Sequence, residues 1–563
     1  MLEFAKKHLF ILLPALVIGI LIFVPTFLSV KNAGENFEGI YPMFNDDEAY
    51  YLATAEEVFD GRHNQDLSLQ QSLLEIIIAS EARLLGSSIP TVAVINDFLL
   101  PFLGVILLYA LIFDLTKSRK ISYIFSFLFY FIFLSYFNRP TNPQFSFLPF
   151  LLALLLVYKI VSQKYDSKKI IILNISLGLV FGSLFYIYPF YWTTTLVLYA
   201  VGTITLALSQ KEFQYWIKNW FVFGLTSALV ALPYLFNLLR SIKNSSFLET
   251  SIRQGMVFNH YPAAFFNVAL MFGCILLIYI IRKNITDKRL LVFMYSLPIS
   301  GIVLNWQNVI TGKYLQFSSH YYQPIILFAF LIIAILLKTN PKKFGATCLV
   351  VMMMAIIIYK QKDDIRGAYL NIISPADISS LQNLASVANW LNTNTPKDSA
   401  VYTLGEELNE FLPVYTHDNV YWHYYENMQL ISDEESENRW VLQNIFENID
   451  ADFIRSHQAE IWLTKFTASY QNQAVRQKIL GFMTGEEYSE PDLVDQKYID
   501  RVLEKYQYFK KIGFEKSLRT YAADYIVLDI DDERYKKLVV ELEKSNSFKL
   551  KAELGKILVF ELE

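Results

Sequence analysis

The chain has 563 residues, of which 54% are hydrophobic and 16% aromatic, and its formal net charge at pH 7 is −4. This apolar content exceeds what one water-soluble core needs, so the composition excludes an ordinary soluble enzyme and predicts a polytopic membrane protein. No nucleic-acid partner is expected.

Apolar runs long enough to cross about 30 Å of hydrocarbon recur along the first 360 residues. They predict eleven membrane-spanning helices, near residues 9–30, 91–113, 121–137, 145–161, 170–187, 189–209, 215–239, 262–281, 290–304, 322–337 and 344–359. The predicted fold class is therefore a polytopic α-helical membrane protein.

The Lys and Arg residues of the loops predict the orientation, because they accumulate on the cytoplasmic side of a membrane. With the N-terminus inside, the inner loops hold 18 of the 29 basic residues in 1–370, and the much longer outer segments hold 11. An odd number of spans then places the C-terminus outside, on the same face as the first loop. We expect a plasma-membrane protein with a cytoplasmic N-terminus and an extracytoplasmic C-terminal domain.

A change in charge marks a domain boundary near residue 370. Residues 1–370 hold 29 Lys and Arg against 20 Asp and Glu, whereas residues 371–563 hold 20 against 33. The second segment is long enough to bury its own core. It is predicted to be a soluble α/β or α+β domain, because helix-like periodicity alternates with strand-like runs. The helices are expected at 376–392, 432–447, 497–511 and 533–545, and the strands at 399–403, 460–464, 524–530 and 556–562.

The first outer loop, residues 31–90, contains NDDEAYYLATAEEVFDGR, in which Asp46, Asp47 and Glu48 are adjacent. Apolar residues recur every three or four positions there and in SLQQSLLEIIIASEARLLG, which predicts two amphipathic helices in the membrane interface. Asp46 is expected to cap the first helix, with Gly61 beyond its end. Capping and the helix dipole explain the presence of one carboxylate. Three adjacent carboxylates are more than this explanation needs. Capping alone and a catalytic role are therefore the two interpretations of this acidic cluster.

The stretch DEAYYLATAEEVFDG, with Asp47-Glu48, resembles the first-loop signature of GT-C superfamily glycosyltransferases, especially the protein O-mannosyltransferase and aminoarabinose transferase branch. The resemblance implies a multispan enzyme with a catalytic Asp in its first outer loop and a polyprenyl-phosphate sugar as donor. The predicted number of spans, the long first loop and the outer C-terminal domain fit the same plan. In the second span, where related families often have an Arg, this chain has Asn96 and Asp97.

Transfer from a polyprenyl phosphate requires a base that takes the acceptor's proton while the sugar C1 is attacked opposite the phosphate. A carboxylate also suits the oxocarbenium-like charge that develops at C1. Asp47 is the predicted base, with Asp46 or Glu48 orienting it or binding the acceptor. The acceptor is left open between protein, lipid and glycan, and the sugar between a hexose and a pentose.

The leaving phosphate needs cations, and Arg suits it through its bidentate fork. The outer-side candidates for donor-phosphate binding are Arg139, Arg240, Arg253, Lys313 and His320, the last as a group that protonates the leaving phosphate. The alternative for each Arg is a side chain that reaches the lipid headgroups. For His320 the alternative is a hydrogen-bonded residue of the interface.

Asp97, early in the second span, is a further candidate, because acids inside a membrane are usually functional; a position at the interface is its alternative. Both cysteines, Cys274 and Cys348, fall inside predicted spans, and the seven histidines form no metal-binding pattern, so no metal site is predicted. A divalent cation on the outer-loop carboxylates is left open.

Two other kinds of membrane protein compete with a glycosyltransferase. A polymerase or ligase that uses lipid-linked substrates would share this architecture. A transporter would place paired charges at mid-span depth and show internal repeats. The spans contain almost no ionisable residue at that depth and no evident repeat, so a transporter is the least favoured of the three.

Overall fold

The computed structural model describes residues 8–62, 73–163, 167–258, 260–262, 264–314, 318–339, 344–485, 492–543 and 545–563. The first two thirds of the chain form a bundle of long helices. In chain order these helices are α1 (Leu12–Ala33), α2 (Asp46–Asp60), α3 (Leu73–Leu85), α4 (Ile89–Thr116), α5 (Arg119–Ile132), α6 (Phe147–Ser162), α7 (Ser167–Leu184), α8 (Pro189–Gln210), α9 (Phe213–Ser241), α10 (Phe247–Arg253), α11 (Phe265–Ile281), α12 (Lys288–Thr311), α13 (Tyr322–Thr339), α14 (Phe344–Lys360) and α15 (Lys362–Ile373).

Each of the eleven predicted spans corresponds to one of these helices. Within the described residues, eight helices are long and apolar enough to cross a membrane, and the chain is an integral membrane protein. The remaining three are α5, α7 and α14. Helix α5 has 14 residues and α14 has 17, while α7 starts with Lys168 and Lys169 in its first turn. The eleven helices are therefore present, but they differ in apolar length.

Close packing inside the bundle depends on small residues between α7 and α9. A Cβ atom added at Gly178 would lie 2.7 Å from Cβ of Thr226, and one added at Gly182 would lie 2.6 Å from Cβ of Val230. These glycines are four residues apart, so they lie on one face of α7. Helices in membranes approach closely where such small residues line up.

The C-terminal part contains helices and a five-stranded sheet. The helices are α16 (Asn383–Asn394), α17 (Glu406–Tyr415), α18 (Asp433–Gln443), α19 (Ala451–Ser456), α20 (Gln458–Trp462), α21 (Thr467–Thr484), α22 (Gln496–Ile512), α23 (Phe514–Arg519) and α24 (Tyr535–Glu543). Two short strands of the bundle, β1 (Val257–Phe258) and β2 (Lys313–Tyr314), pair antiparallel. The strands of the C-terminal sheet are β3 (Ala400–Thr403), β4 (Asn419–Val420), β5 (Tyr525–Asp529), β6 (Phe548–Leu554) and β7 (Ile557–Leu562).

The order of the C-terminal sheet is β4-β3-β5-β7-β6, with β3 parallel to both of its neighbours and the other pairs antiparallel. This confirms a mixed α/β or α+β fold. The strand predicted at 460–464 is wrong, because helix α20 occupies most of it. Ile461 and Trp462 are both fully buried there, and two adjacent buried side chains do not fit the alternation of a half-buried strand. Strand β6 was not predicted, although its sequence FKLKAEL alternates apolar and charged residues.

The first loop and the C-terminal domain meet at one end of the bundle. The Gln382 side chain receives a 2.8 Å hydrogen bond from the backbone N–H of Glu38 and donates a 2.9 Å bond to the carbonyl of Ile40. The hydroxyl of Tyr415 accepts a 3.0 Å bond from the N–H of Tyr41. These contacts hold α2 against the C-terminal domain, so residues of both parts line the space around the acidic cluster.

Candidate active site

Helix α2 begins inside the acidic cluster, and its start differs from the prediction in one residue. Asn45, with extended backbone angles, is the N-cap, and Asp46 is the first helical residue; the side chain of Asp46 lies outside the described residues. Glu48 is the third helical residue and accepts a 2.9 Å hydrogen bond from the N–H of Phe44. A capping-box glutamate at this position accepts from the N–H of the N-cap residue, whereas Glu48 accepts from the residue before the N-cap. Gly61 ends the helix in the left-handed conformation, as predicted.

Asp47 is the residue of the cluster that faces other parts of the chain. Its Oδ2 forms an ion pair with Arg139, and its Oδ1 accepts a 2.6 Å hydrogen bond from the Tyr425 hydroxyl. Arg139 precedes the short helical segment Pro140–Phe145 at the start of α6, and Tyr425 belongs to the C-terminal domain. The carboxylate therefore joins the bundle, the first loop and the C-terminal domain at one point, and its side chain is 39% exposed.

Glu48 and Asp97 are the two buried acids beneath Asp47. Glu48 is 7% exposed and Asp97 is 6% exposed. Burial, and then the nearby Asp97 carboxylate, raise the pKa of Glu48 well above its ordinary value. Oδ1 of Asp97 accepts a 2.8 Å hydrogen bond from Gln144, which also donates to the carbonyl of Phe137. Asp97 thus helps to hold the segment that follows Arg139, and it lies in the wall behind the cluster.

A cavity of about 580 Å³ lies among the bundle helices on the Arg139 side of Asp47. We call it the bundle cavity. Its polar lining consists of Arg139, Asn267, His320, Gln323, Lys360, Gln361 and Asp364, and its aromatic lining of Phe133, Tyr136, Phe266 and Tyr322. Two buried atoms of this lining, Nε2 of Gln323 and the hydroxyl of Tyr322, have no hydrogen-bond partner among the described residues. The bundle cavity therefore offers cations and hydrogen-bond donors beside an aromatic wall.

His320 lines the bundle cavity as an uncharged residue. Its Nδ1 is 2.6 Å from the Tyr188 hydroxyl, and its ring stacks on Phe190 with the centroids 4.4 Å apart. Burial, and then the charge of Arg139, lower the pKa of His320 to about 4. At neutral pH the ring is neutral, so the expected role as a cationic proton donor to the leaving phosphate does not fit. A neutral hydrogen-bonding role is what the geometry allows.

A second cavity, of about 480 Å³, lies between α2 and the C-terminal domain. We call it the interface cavity. Tyr50 and Glu57 line it from α2, and Tyr425, Glu426 and Arg439 line it from the C-terminal domain. Burial raises the pKa of Glu426 to about 8 against the opposing effect of the Arg439 guanidinium, whose Nη1 is 3.9 Å from Glu426 Oε2. The interface cavity therefore contains a carboxyl that is protonated in part at neutral pH.

Three of the predicted phosphate-binding residues lie outside the bundle cavity. Arg240 is exposed near the end of α9, and Lys313 is exposed in β2; neither belongs to the lining of the bundle cavity. Arg253 is fully buried. Its guanidinium donates to Asp433 at 2.7 Å and to the carbonyls of Asn427 and Ile431 at 3.1 and 2.6 Å. The expectation for Arg253 is corrected, because its side chain holds the C-terminal domain on the bundle.

Two residues of the site were not among the predicted ones. Tyr425 lies in the C-terminal domain, and nothing in the tyrosine-rich run YWHYYEN distinguishes it. Lys360 ends α14 and lies over the ring of Phe266, with Nζ 5.6 Å from the centroid. Lys360 could have been identified from its place directly after the last predicted span. That span ends on the predicted outer side, where basic residues are less common.

The sequence leaves open whether a divalent cation binds the first-loop carboxylates. Within the part of the chain that the structure describes, no group of three or more His, Cys, Asp or Glu side chains is arranged to hold a metal ion. Arg139 and Tyr425 occupy the two oxygens of Asp47.

Comparisons with known proteins give a likeness in structure only. No family model and no curated protein sequence matches the chain. The chain is similar to ArnT from Cupriavidus metallidurans bound to undecaprenyl phosphate, with 10% identity, a TM-score of 0.49, and coverage of 99% of this chain and 98% of that one. It is also similar to the oligosaccharyltransferase AglB from Archaeoglobus fulgidus in complex with an inhibitory peptide and a dolichol-phosphate, with 12% identity, a TM-score of 0.46, and coverage of 96% and 72%.

Proposed function

We propose that this chain transfers a sugar from a polyprenyl-phosphate donor to an acceptor on the extracytoplasmic face of the plasma membrane, with Asp47 as the base. The observation that supports the proposal most is the position of the Asp47 carboxylate between Arg139 and Tyr425. Arg139 lines the bundle cavity and Tyr425 lines the interface cavity. A donor in one cavity and an acceptor in the other would meet at Asp47.

The bundle cavity is the proposed donor site. Arg139 and Lys360 supply positive charge, and the unpartnered Gln323 Nε2 and Tyr322 hydroxyl supply further donors. When a phosphodiester becomes a phosphate monoester it gains negative charge, and preplaced cations stabilise that charge. A lipid-linked donor suits a cavity between membrane helices, because the lipid tail can stay in the bilayer.

In this proposal the Asp47 carboxylate and the donor phosphate compete for the guanidinium of Arg139. This guanidinium pairs with Asp47. A donor phosphate in the bundle cavity would compete for the same guanidinium, and an Arg fork binds phosphate through two parallel bonds. Binding of the donor would then loosen the ion pair and leave Asp47 free to take a proton. The base would become active only with the donor in place.

The acceptor reaches Asp47 through the interface cavity in this scheme. Its hydroxyl oxygen attacks C1 of the sugar, the bond from C1 to the phosphate oxygen breaks, and the hydroxyl proton goes to Asp47. The products are the glycosylated acceptor and polyprenyl phosphate. Tyr425 donates to the other oxygen of Asp47 and holds the carboxylate in position. The arrangement of basic residues in the loops supports the outer face as the side of the reaction.

Purified protein with a panel of radiolabelled polyprenyl-phosphate sugars tests the proposal. We expect Asp47→Asn to abolish consumption of the donor that the unmutated protein uses, while the melting temperature stays the same. The matched control is Asp114→Asn, which removes an ion-paired carboxylate at the opposite end of α4, where Asp114 pairs with Lys117 and Lys159. If Asp47→Asn retains more than a few per cent of the transfer, Asp47 is not the base.

A further inference from the structure

A third cavity, of about 310 Å³, lies inside the C-terminal domain and has no part in the proposed transfer. We call it the C-terminal cavity. It lies next to the interface cavity, because Asn409 and His423 line both of them. Its volume is at the lower end of the range of about 300 to 1,000 Å³ that is usual for ligand sites. The C-terminal cavity is therefore large enough for a small ligand group.

Buried polar atoms without partners lie in the lining of the C-terminal cavity. Nε1 of Trp422, Nε2 of His423 and Oε1 of Gln443 have no hydrogen-bond partner among the described residues. The three residues are only 7%, 8% and 4% exposed. Buried polar groups in folded proteins are nearly always bonded, so each exception calls for an explanation. Three residues with such atoms line this one cavity, which marks it as a place for a ligand or ordered water.

These three atoms are uncharged, and they include donors and an acceptor. Trp422 can only donate, and the Gln443 oxygen can only accept. Nδ1 of His423 accepts a 3.3 Å bond from the N–H of Tyr425, so Nε2 bears the proton when the ring is neutral. Burial lowers the pKa of His423 to about 4, which keeps it neutral. A group that both donates and accepts, such as a hydroxyl, matches this set.

The charged side chains that line the C-terminal cavity are Glu406, Glu447, Glu460 and Arg534. Glu460 accepts a 3.0 Å bond from Nε1 of Trp440. Arg534 pairs with Asp532 at 2.8 Å, and its Nε is 3.7 Å from Glu447. Three carboxyl groups against one guanidinium leave the lining acidic, which disfavours an anionic ligand. A neutral ligand with hydroxyl groups suits this lining, because a hydroxyl can donate a hydrogen bond to a carboxylate.

The remaining walls are aromatic. Trp422, Tyr424 and Phe453 line the C-terminal cavity, and the ring of Phe453 stacks with that of His457 at a centroid distance of 4.1 Å. Aromatic side chains combine a large apolar surface with a polar edge in Tyr and Trp. A sugar ring has an apolar face of C–H groups and a rim of hydroxyls, so it meets both features. A peptide chain would present backbone amides, and only some of them could face this one small cavity. A peptide therefore matches the cavity less well than a sugar ring does.

We infer that the C-terminal cavity binds a neutral sugar unit of the acceptor, and that the acceptor is a glycan. The inference rests on the proposed function for its link to transfer, because the sugar to be extended would lie near Asp47. Few contacts separate the C-terminal cavity from Asp47. His423 lines both cavities, the next residue but one is Tyr425, and Tyr425 bonds to Asp47. A glycan of a few residues would extend from Asp47 through the interface cavity into the C-terminal cavity.

Binding of neutral oligosaccharides to the full-length protein in detergent tests the inference. The probes are tetrasaccharides of glucose, mannose and N-acetylglucosamine, measured by calorimetry on the Asp47→Asn variant so that no turnover occurs. We expect at least one of them to bind with a Kd near or below about 1 mM. Trp422→Phe should weaken that binding about three- to tenfold, because it removes one hydrogen bond and keeps the aromatic wall.

The Trp422→Phe variant separates binding from folding. Its Nε1 has no partner among the described residues, so we expect no loss of a hydrogen bond and only the modest drop in melting temperature that a smaller buried ring causes. Trp390→Phe is the matched control, since Trp390 lies on α16 and is not part of the lining of this cavity. If Trp422→Phe does not fold, Tyr424→Leu removes another aromatic wall and gives the same test.

Each outcome has a clear meaning. No saturable binding of any of the three probes overturns the inference and leaves water as the occupant of the C-terminal cavity. Binding of a polar decapeptide alone also overturns it and favours a peptide acceptor. Equal weakening by Trp390→Phe would place the sugar elsewhere. If sugar binds normally but Asp47→Asn still transfers, the proposed function fails and the sugar site in the C-terminal cavity stands. If Asp47→Asn abolishes transfer but no sugar binds, the proposed function stands and the sugar site fails.

Discussion

The Tyr425 hydroxyl donates a 2.6 Å hydrogen bond to Oδ1 of Asp47, although the two residues are 378 positions apart in the chain. The same tyrosine packs on Tyr50 of α2, with the ring centroids 5.1 Å apart. The C-terminal domain thus contributes directly to the environment of the first-loop carboxylate. A domain that only covered the bundle would have no need of this contact.

Tyr425→Phe is expected to lower kcat for transfer about tenfold and to leave the KM for the donor unchanged. The variant keeps the ring on Tyr50 and loses only the bond to Asp47, and hydrogen bonds to charged groups contribute about 1.5 to 3 kcal/mol. Steady-state kinetics with the labelled donor measures both constants. Tyr506→Phe is the control, because it removes a 2.7 Å bond to the carbonyl of Glu447. Equal losses in both variants would show that Tyr425 acts only through stability.

Arg139→Gln should raise the KM for the donor at least tenfold, because it removes the guanidinium that lies between Asp47 and the bundle cavity. Arg139→Lys should recover only part of this loss, since Lys keeps the charge but not the bidentate fork. Lys243→Gln, at an exposed position just beyond α9, is the control. Full activity of Arg139→Lys would mean that charge alone matters at this position.

Lys360→Gln is expected to raise the donor KM severalfold, and the effect should shrink as the salt concentration rises, because salt screens the attraction of an exposed charge for phosphate. Lys362→Gln is a close control. Lys362 is two residues further on and lies over the ring of Tyr359 at 4.8 Å. It is not part of the bundle-cavity lining. The same loss in both variants would indicate a general effect of surface charge, and Lys360 would no longer be a phosphate ligand.

Arg253→Met should destabilise the docking of the C-terminal domain by about 3 kcal/mol, since it leaves a partly buried Asp433 without one of its two cationic partners. A thermal melt and limited proteolysis of the detergent-solubilised protein measure the change. Arg455→Met removes an exposed pair with Asp452 and should change the melting temperature very little. If both variants melt alike, Arg253 is not the main docking residue.

Glu426→Gln should change how stability depends on pH. Burial raises the pKa of Glu426 from its usual value near 4.5 to about 8. The folded state therefore binds more protons than the unfolded state between these values, and the stability from this group is lost as the pH rises from about 4.5 through 8. The variant has no such loss. Melting temperatures at pH 5 and pH 8 should differ less in Glu426→Gln than in the unmutated protein, and an equal difference would contradict the assignment.

The membrane part of the fold could be predicted well, because apolar length is a strong signal. All eleven helices appear at the predicted places. The start of α2 was predicted to within one residue, since the sequence contains both a cap and a C-terminal glycine. Strand β4 has only two residues, which is too short for a sequence pattern to show. Strand β6 does alternate apolar and charged residues, so its signal was present and was overlooked.

The site was predicted less completely than the fold, and the reason is distance along the chain. Asp47 and Arg139 were identifiable, because each is a charge beside an apolar run in a segment expected outside. Tyr425 is one of 36 tyrosines, and only the folded domain places it on Asp47. Arg253 looked like a phosphate ligand for the same reason as Arg139. Its burial against Asp433 depends on contacts across 180 residues, which sequence patterns do not contain.

The buried guanidinium of Arg253 also has a consequence for the order of assembly. Its partners, from Asn427 to Asp433, are made long after the bundle helices, and so is Tyr425. In the proposed orientation, the first loop would cross the membrane before Arg139 is made, and Asp47 would pair with Arg139 before Tyr425 exists to orient it. The carboxylate of a nascent chain would therefore gain its last neighbour only when the C-terminal domain has also crossed.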